Sequence, residues 1–277
     1  MIRTFLLYIA VLLMGSTAFA QSAAGFTPTQ DETILPDSAT ISDFARKVCG
    51  VTPGDSIAVV PVGVTSLPDY AFADCTSLRH IVLPHSLKKI GEYAFLGCSS
   101  LEEIELPSTV TEIGEGAFRE CSSLEALAIP ARVKVVPRYM CAWCQQLKAV
   151  SLPAGLKDIG SHAFAYCSAL KEIQVPAGVT HIGSNAFSFC RSLKEIELPA
   201  SITELESYTF SDCSSLKRAT LPANDKMLGE YIFTGCTSLE EIICMSPRRP
   251  TFDCDSPFFD PSENLSPRYV TPSSWSF

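Results

Sequence analysis

The sequence predicts a repeat solenoid with a parallel β-sheet along one face, brief strand, turn and 3-10 segments elsewhere, and a cap at each end. Three columns of residues predict it. Cysteines recur every 23 residues at Cys75, Cys98, Cys121, Cys144, Cys167, Cys190, Cys213 and Cys236. A leucine follows each by three residues, from Leu78 to Leu239, and prolines keep the same spacing from Pro61 to Pro222. A fixed period of this size marks units that bury their apolar faces only against their neighbours.

Taken in order, residues 1–20 have the pattern of a secretory leader. Arg3 supplies a positive start, Phe5 to Met14 an apolar run, and Ala18-Phe19-Ala20 a small-residue cleavage site. The apolar run falls short of the roughly 18 residues that span a bilayer. Residues 21–60 form an N-terminal cap with a short helix near 43–49. Ser42 begins it, Gly50 stops it, and Ile41, Phe44, Val48 and Cys49 share the face that closes the first coil. Eight 23-residue units then occupy 61–245. Residues 246–277 make a C-terminal cap, in which Pro247, Pro250, Pro257, Pro261 and Pro267 forbid long regular structure. Phe252, Phe258 and Phe259 are expected to cover the last coil.

One unit is Leu101-Glu-Glu-Ile104-Glu-Leu106-Pro107-Ser-Thr-Val110-Thr-Glu-Ile113-Gly114-Glu-Gly-Ala117-Phe118-Arg-Glu-Cys121. Its opening Leu-x-x-Ile-x-Leu is the leucine-rich-repeat strand signature. Ile104 and Leu106 alternate with Glu103 and Glu105 as in a half-buried strand. Pro107 ends the pairing, and Val110 and Ile113 form a second apolar pair. Gly91, Gly114, Gly160, Gly183 and Gly229 recur where the chain is expected to bend freely. Ala-Phe, as at Ala117-Phe118, turns the chain inward. In the unit closed by Cys144, Met140-Cys141 replaces Ala-Phe, and Trp143 is expected to supply the missing volume. Glu206 replaces the glycine of the unit closed by Cys213. Asp225 stands where an aliphatic residue is expected before Cys236.

The run Cys-x-x-Leu-x-x-Ile-x-Leu-Pro-x-x-Val-x-x-Ile-Gly-x-x-Ala-Phe-x-x-Cys resembles the 23-residue leucine-rich repeat of the BspA-like bacterial proteins, the treponemal type. That resemblance implies a right-handed solenoid with its sheet on the concave face, and a surface or secreted protein, often an adhesin binding host proteins. It implies no catalytic residues.

The chain carries a net charge of −9, and loss of a leader whose only charge is Arg3 makes the remainder more acidic. This argues against nucleic acid and against a bare anionic membrane as partners. No later segment is long and apolar enough to insert in a membrane, and a monomer is expected. Twelve cysteines in an exported chain would suggest disulfides. However, equivalent side chains on successive turns point the same way, leaving their Cβ atoms about 4.8 Å apart, too far for a disulfide. A ladder of buried, reduced thiols is expected instead, with sporadic disulfides or a metal as the alternative. Cys244 and Cys254 could close a short loop worth about 3 kcal/mol, with paired and free forms both open. Cys141-Ala-Trp-Cys144 has redox spacing, yet Cys144 belongs to the ladder and Cys141 stands in the Phe column. His80, His85, His162 and His181 show no metal-ligand convergence along the sequence. No metal or cofactor is expected, and neither is an enzyme.

The sheet face is the candidate binding surface. Its central residues are Glu102, Glu103 and Glu105, then the small-residue window Ala126, Ala128, Ala149 and Ser151. Beside these stand the lysines Lys148, Lys171, Lys194 and Lys217, with Glu172, Glu195 and Glu197 available to counter them. The expected function is a noncatalytic, adhesin-like module that binds an extracellular or host-surface protein through this face. It would be secreted, at the cell surface, or in the periplasm. The alternatives are an envelope spacer without a ligand and, less favoured for want of aromatic platforms on these columns, a carbohydrate binder.

Overall fold

A computed structural model describes residues 42–222, 229–244 and 268–270. The predicted leader, Ile41, Asp225, Cys254 and the prolines and phenylalanines of the C-terminal segment lie outside the described residues, so the Cys244–Cys254 pairing does too. Described residues form a parallel β-solenoid whose turns are conveniently named by their closing cysteines.

Each turn has three sides. On the first, the leucine-rich-repeat signature makes short parallel strands at His80–Val82, Glu103–Ile104, Ala126–Ala128, Ala149–Ser151, Glu195–Glu197, Arg218–Leu221 and Glu241–Cys244, and strands from outside the signature, Ile57–Val59 and Arg268–Val270, pair with the two ends of the row. The pairs His80↔Glu103, Ala126↔Ala149 and Glu195↔Arg218 put equivalent positions side by side, one repeat apart. The row is not continuous: it falls into three groups, and Glu172–Gln174 forms no ladder. At that seam Val150 and Val175 are only partly buried. The proline then opens a turn, its carbonyl accepting the amide three residues on, as in Val110 to Pro107 at 3.0 Å.

The second side is a further row of two-residue strands, from Ser66–Leu67 to Glu204–Leu205, built by the Val-x-x-Ile half of the repeat. Its inward residues Ile90, Val136, Ile159 and Ile182 are fully buried.

The third side holds two columns of left-handed backbone. Among the described residues thirteen non-glycine residues have positive φ, including Tyr70, Tyr93, Tyr139, His162 and Tyr208 in one column and Asp74, Glu120, Trp143, Tyr166 and Phe189 in the other. Such a conformation costs about 1–2 kcal/mol per residue. Here it aims amides at the next turn: Tyr70, Phe72 and Asp74 donate to the carbonyls of Glu92, Ala94 and Leu96 at 2.7–2.9 Å. Stacked rings offset more of the cost, as between Trp143 and Tyr166 or Tyr166 and Phe189 at 5.1 and 4.3 Å.

The glycines the sequence marked as bends do something else. Gly91, Gly114, Gly160, Gly183 and Gly229 have no positive φ. Instead, a Cβ at each would lie 2.2–2.7 Å from backbone of the preceding turn. They are contact points between coils rather than hinges.

Inside, Phe72, Phe95 and Phe118 stack, and Phe164, Phe187, Phe210 and Phe233 stack again, at 5.3–5.8 Å. Between them Met140 and Cys141 are fully buried, so they fill the interruption themselves. Trp143 does not; it stands in a left-handed position outside the core, stacked on Tyr166. The cysteines form a ladder with a specific chemistry. Cys98, Cys121, Cys144, Cys167, Cys190, Cys213 and Cys236 each donate Sγ–H, at 3.1–3.3 Å, to a carbonyl in the Phe column of the turn before. That carbonyl also accepts the amide of its own turn's cysteine, as Phe95 does from Cys98 at 3.2 Å. A buried carbonyl thus has both lone pairs used. The cysteines from Cys49 to Cys236 are free, and all of them but Cys49 are buried.

The N-terminal helix is present over Phe44–Val48, wound as a π-helix. Ser42 accepts the Ala45 amide at 3.1 Å and donates to the Ala71 carbonyl, tying the cap to the first turn. Gly50, at φ 68°, ends it. Phe44 then meets Phe72 edge-on at 5.9 Å and closes the aromatic stack.

Candidate functional site

The first strand row presents the predicted face. Alternation along each strand turns Ala126 and Ala128 outward around buried Leu127, and the neighbouring strand sets Ala149 and Ser151 beside them. All four are exposed, giving a low window two strands wide. Glu103 and Glu105 are exposed on one flank and Glu102 is half-buried there, bonded to Arg79. On the other flank Lys148, Lys171, Lys194 and Lys217 are exposed.

The predicted neutralisation of that lysine ladder is different in the structure. Lys148 turns to Glu125 at 2.7 Å, and Lys217 to Glu240 at 3.5 Å. Glu195 pairs with Arg218, at 3.2 Å, rather than with a lysine. Among the described residues, Lys171 and Lys194 have no ion-pair partner, and neither do Glu172 and Glu197. The ends of the ladder are therefore countered by neighbours in their own column, and its middle is open.

Sequence reasoning missed a second constellation, on the second strand row. His181, the outward residue of its strand, pairs in register with Asp158 on one side and Glu204 on the other. Its Nδ1 lies 2.8 Å from Asp158 Oδ2, and its Nε2 lies 2.9 Å from Glu206 Oε1. The other Glu206 oxygen accepts the Ser184 amide at 2.7 Å. A ring nitrogen of His181, a Glu204 oxygen and a Glu206 oxygen form a group within 4.8 Å of one another. So the fold brings a histidine to three carboxylates, where the linear pattern showed no convergence. Burial pulls the His181 pKa down, but hydrogen bonds to Glu206 and Asp158 outweigh it and hold the imidazole above its ordinary value. Burial pushes Glu206 up, and the bonds from His181 and Ser184, with the nearby Arg138 charge, bring its pKa below the usual range. The available signal was Glu206 itself, a charged residue in a column of glycines.

His162 differs from His181. It stacks on Tyr139 at 4.7 Å, and burial followed by the Arg138 charge lowers its pKa. His80 sits 3.5 Å from Glu103 on the first face. The Cys141-Ala-Trp-Cys144 pair is buried, and burial drives the Cys141 thiol well up, the opposite of what a redox thiol requires. The aromatic column Trp143, Tyr166 and Phe189 lies on the third side, away from the strand face. Rings cover one another there, and the Arg119 and Arg191 guanidiniums lie 4.8 and 5.6 Å from the end rings.

Residues 56–169 and 134–249 match the family model of the BspA type leucine rich repeat region, in 6 copies. The chain belongs to this family. A leucine-rich repeat protein from Bacteroides ovatus is similar over 78% of this chain and 57% of its own, at 30% identity and a TM-score of 0.63. A leucine rich cell surface protein from Faecalibacterium prausnitzii is similar over 73% of this chain and 64% of its own, at 28% identity and a TM-score of 0.54. The chain spans less than two thirds of the length of either structure. No curated protein matches it. No helix among the described residues is long and apolar enough to cross a membrane.

Proposed function

We propose that this BspA-type solenoid is a noncatalytic, exported interaction module, adhesin-like, that binds a protein through its first strand row. One observation supports this most: a window of four exposed small residues, Ala126, Ala128, Ala149 and Ser151, adjoins two lysines, Lys171 and Lys194, that have no ion-pair partner among the described residues. Small side chains let a partner's backbone or ring lie flat, and unpaired cations steer an acidic partner toward it. The cell-surface description of the Faecalibacterium relative agrees with an exported module.

The test compares capture from extracellular-matrix and cell-surface extracts by the full chain, by Lys171→Glu/Lys194→Glu and by Ala126→Arg/Ala149→Arg. Both variants change exposed positions, so circular dichroism should be unaltered. Loss of the same captured protein with both variants, and weaker salt dependence with the lysine pair, supports the face. Equal capture by all three rejects it. A chain that captures nothing is the envelope spacer instead.

A further inference from the structure

The second strand row carries a site that the interaction face does not use. We propose that His181, Glu204 and Glu206 bind one divalent ion of the zinc or cobalt type, bridging the turns closed by Cys190 and Cys213.

Ligand chemistry sets the class of ion. One imidazole nitrogen with two carboxylates suits a borderline transition ion better than calcium or magnesium, which take oxygen donors. Tetrahedral ligands about 2.0–2.1 Å from zinc stand about 3.4 Å from one another. Here Nε2 and Glu206 Oε1 are 2.9 Å apart, and the Glu204 oxygen completes a group within 4.8 Å. Small side-chain adjustments therefore enclose an ion.

The two best-placed ligands are also held from outside the set. Asp158 accepts from Nδ1 at 2.8 Å, which aims Nε2 at the carboxylates, the same carboxylate–histidine arrangement that orients metal-binding imidazoles. The Ser184 amide holds one Glu206 oxygen, and the other points at His181 Nε2, where an ion would sit between them. His181 is 24% exposed at its side chain, so an ion can enter and keep water in its remaining position.

Glu206 makes the site particular to this turn. Its column is glycine in five other turns because a Cβ there crowds the preceding coil. Nevertheless, a carboxylate is placed there and reaches back to His181. Arg138 lies close enough to influence Glu206 and opposes a cation, against the three carboxylates of Asp158, Glu204 and Glu206. Without metal, both imidazole nitrogens face carboxylates. The ion needs the Nε2 lone pair, so any proton on Nε2 must leave to solvent and affinity falls as pH is lowered.

The experiment uses the full chain, stripped with chelator and kept reduced. Zinc chloride is titrated by calorimetry, and cobalt chloride by visible absorption. One equivalent should bind, with weak cobalt bands and no thiolate charge-transfer absorption. Glu206→Gly installs the residue that other turns already carry, so it should fold, as its thermal melt will show. That variant and His181→Gln should weaken zinc binding by about tenfold or more, and Asp158→Asn by about tenfold. Unchanged zinc affinity in Glu206→Gly and His181→Gln overturns the site. So does an absence of binding at micromolar zinc, or a cobalt spectrum dominated by thiolate.

Discussion

Replacing Gly183 by alanine adds one methyl group where two coils touch. The new Cβ would lie 2.5 Å from the Ser161 amide nitrogen and 2.8 Å from its Cα, whereas ordinary contact begins at 3.4 Å. Backbone atoms cannot rotate aside, so the coils must separate or shift by several tenths of an ångström. That movement works against the Gly183 amide's 2.8 Å bond to the Ile159 carbonyl. The next turn shows how far the coil can yield: with Glu206 in this column, the equivalent bond to Ile182 lengthens to 3.0 Å. The expected destabilisation is about 1–3 kcal/mol, the cost of overpacking a fitted contact. Urea unfolding followed by circular dichroism should give a lower midpoint with an unchanged slope. Gly155→Ala is the control, because its Cβ would meet the movable Lys134 ammonium at 2.4 Å and nothing else nearer than 3.7 Å. It should change stability by less than about 0.5 kcal/mol. Equal midpoints for the two variants would refute coil contact as the reason for this glycine column.

Phe187→Ala removes a fully buried ring stacked at 5.4 Å on both Phe164 and Phe210, and should cost about 3–5 kcal/mol by denaturant unfolding. The ladder thiols of Cys98, Cys121, Cys167 and Cys190 are buried and held protonated by that burial, with pKa values well above ordinary. Iodoacetamide should therefore leave them unmodified in the folded protein and label them on unfolding, read by peptide mass spectrometry; rapid native labelling would contradict the ladder. His181 sets a pH dependence. Because its folded pKa is raised above 6.5, its clasp on Asp158 and Glu206 contributes fully below about pH 6.5 and is lost as pH rises through the folded value. Glu206, with a lowered pKa, contributes above its ordinary 4.5 and loses that as pH falls through its folded value. After solvent screening the His181 contribution is about 0.5 kcal/mol, measured as the difference in urea midpoint between the native chain and His181→Gln across pH.

The 23-residue spacing was enough to read the turns, their register and the stacked Cys, Leu and Phe columns. Periodicity places equivalent residues one coil apart whatever their chemistry, so alternation within a unit already separates inward from outward positions. That is why the window at Ala126, Ala128, Ala149 and Ser151 was legible before any coordinates. Lateral relations between turns were not. The glycine column looked like a bend and is a contact. Trp143 looked like core and stacks outside it. Lys148 and Lys217 choose glutamates of their own column, which leaves Lys171 and Lys194 open. His181 meets Asp158 and Glu206 at sequence separations of 23 and 25 residues, and only the second departs from the repeat. A one-dimensional pattern specifies which residues stack. How closely the coils approach, and which way each polar side chain leans across the gap, depends on sterics and hydrogen bonds between different turns, which exist only once the coil has closed.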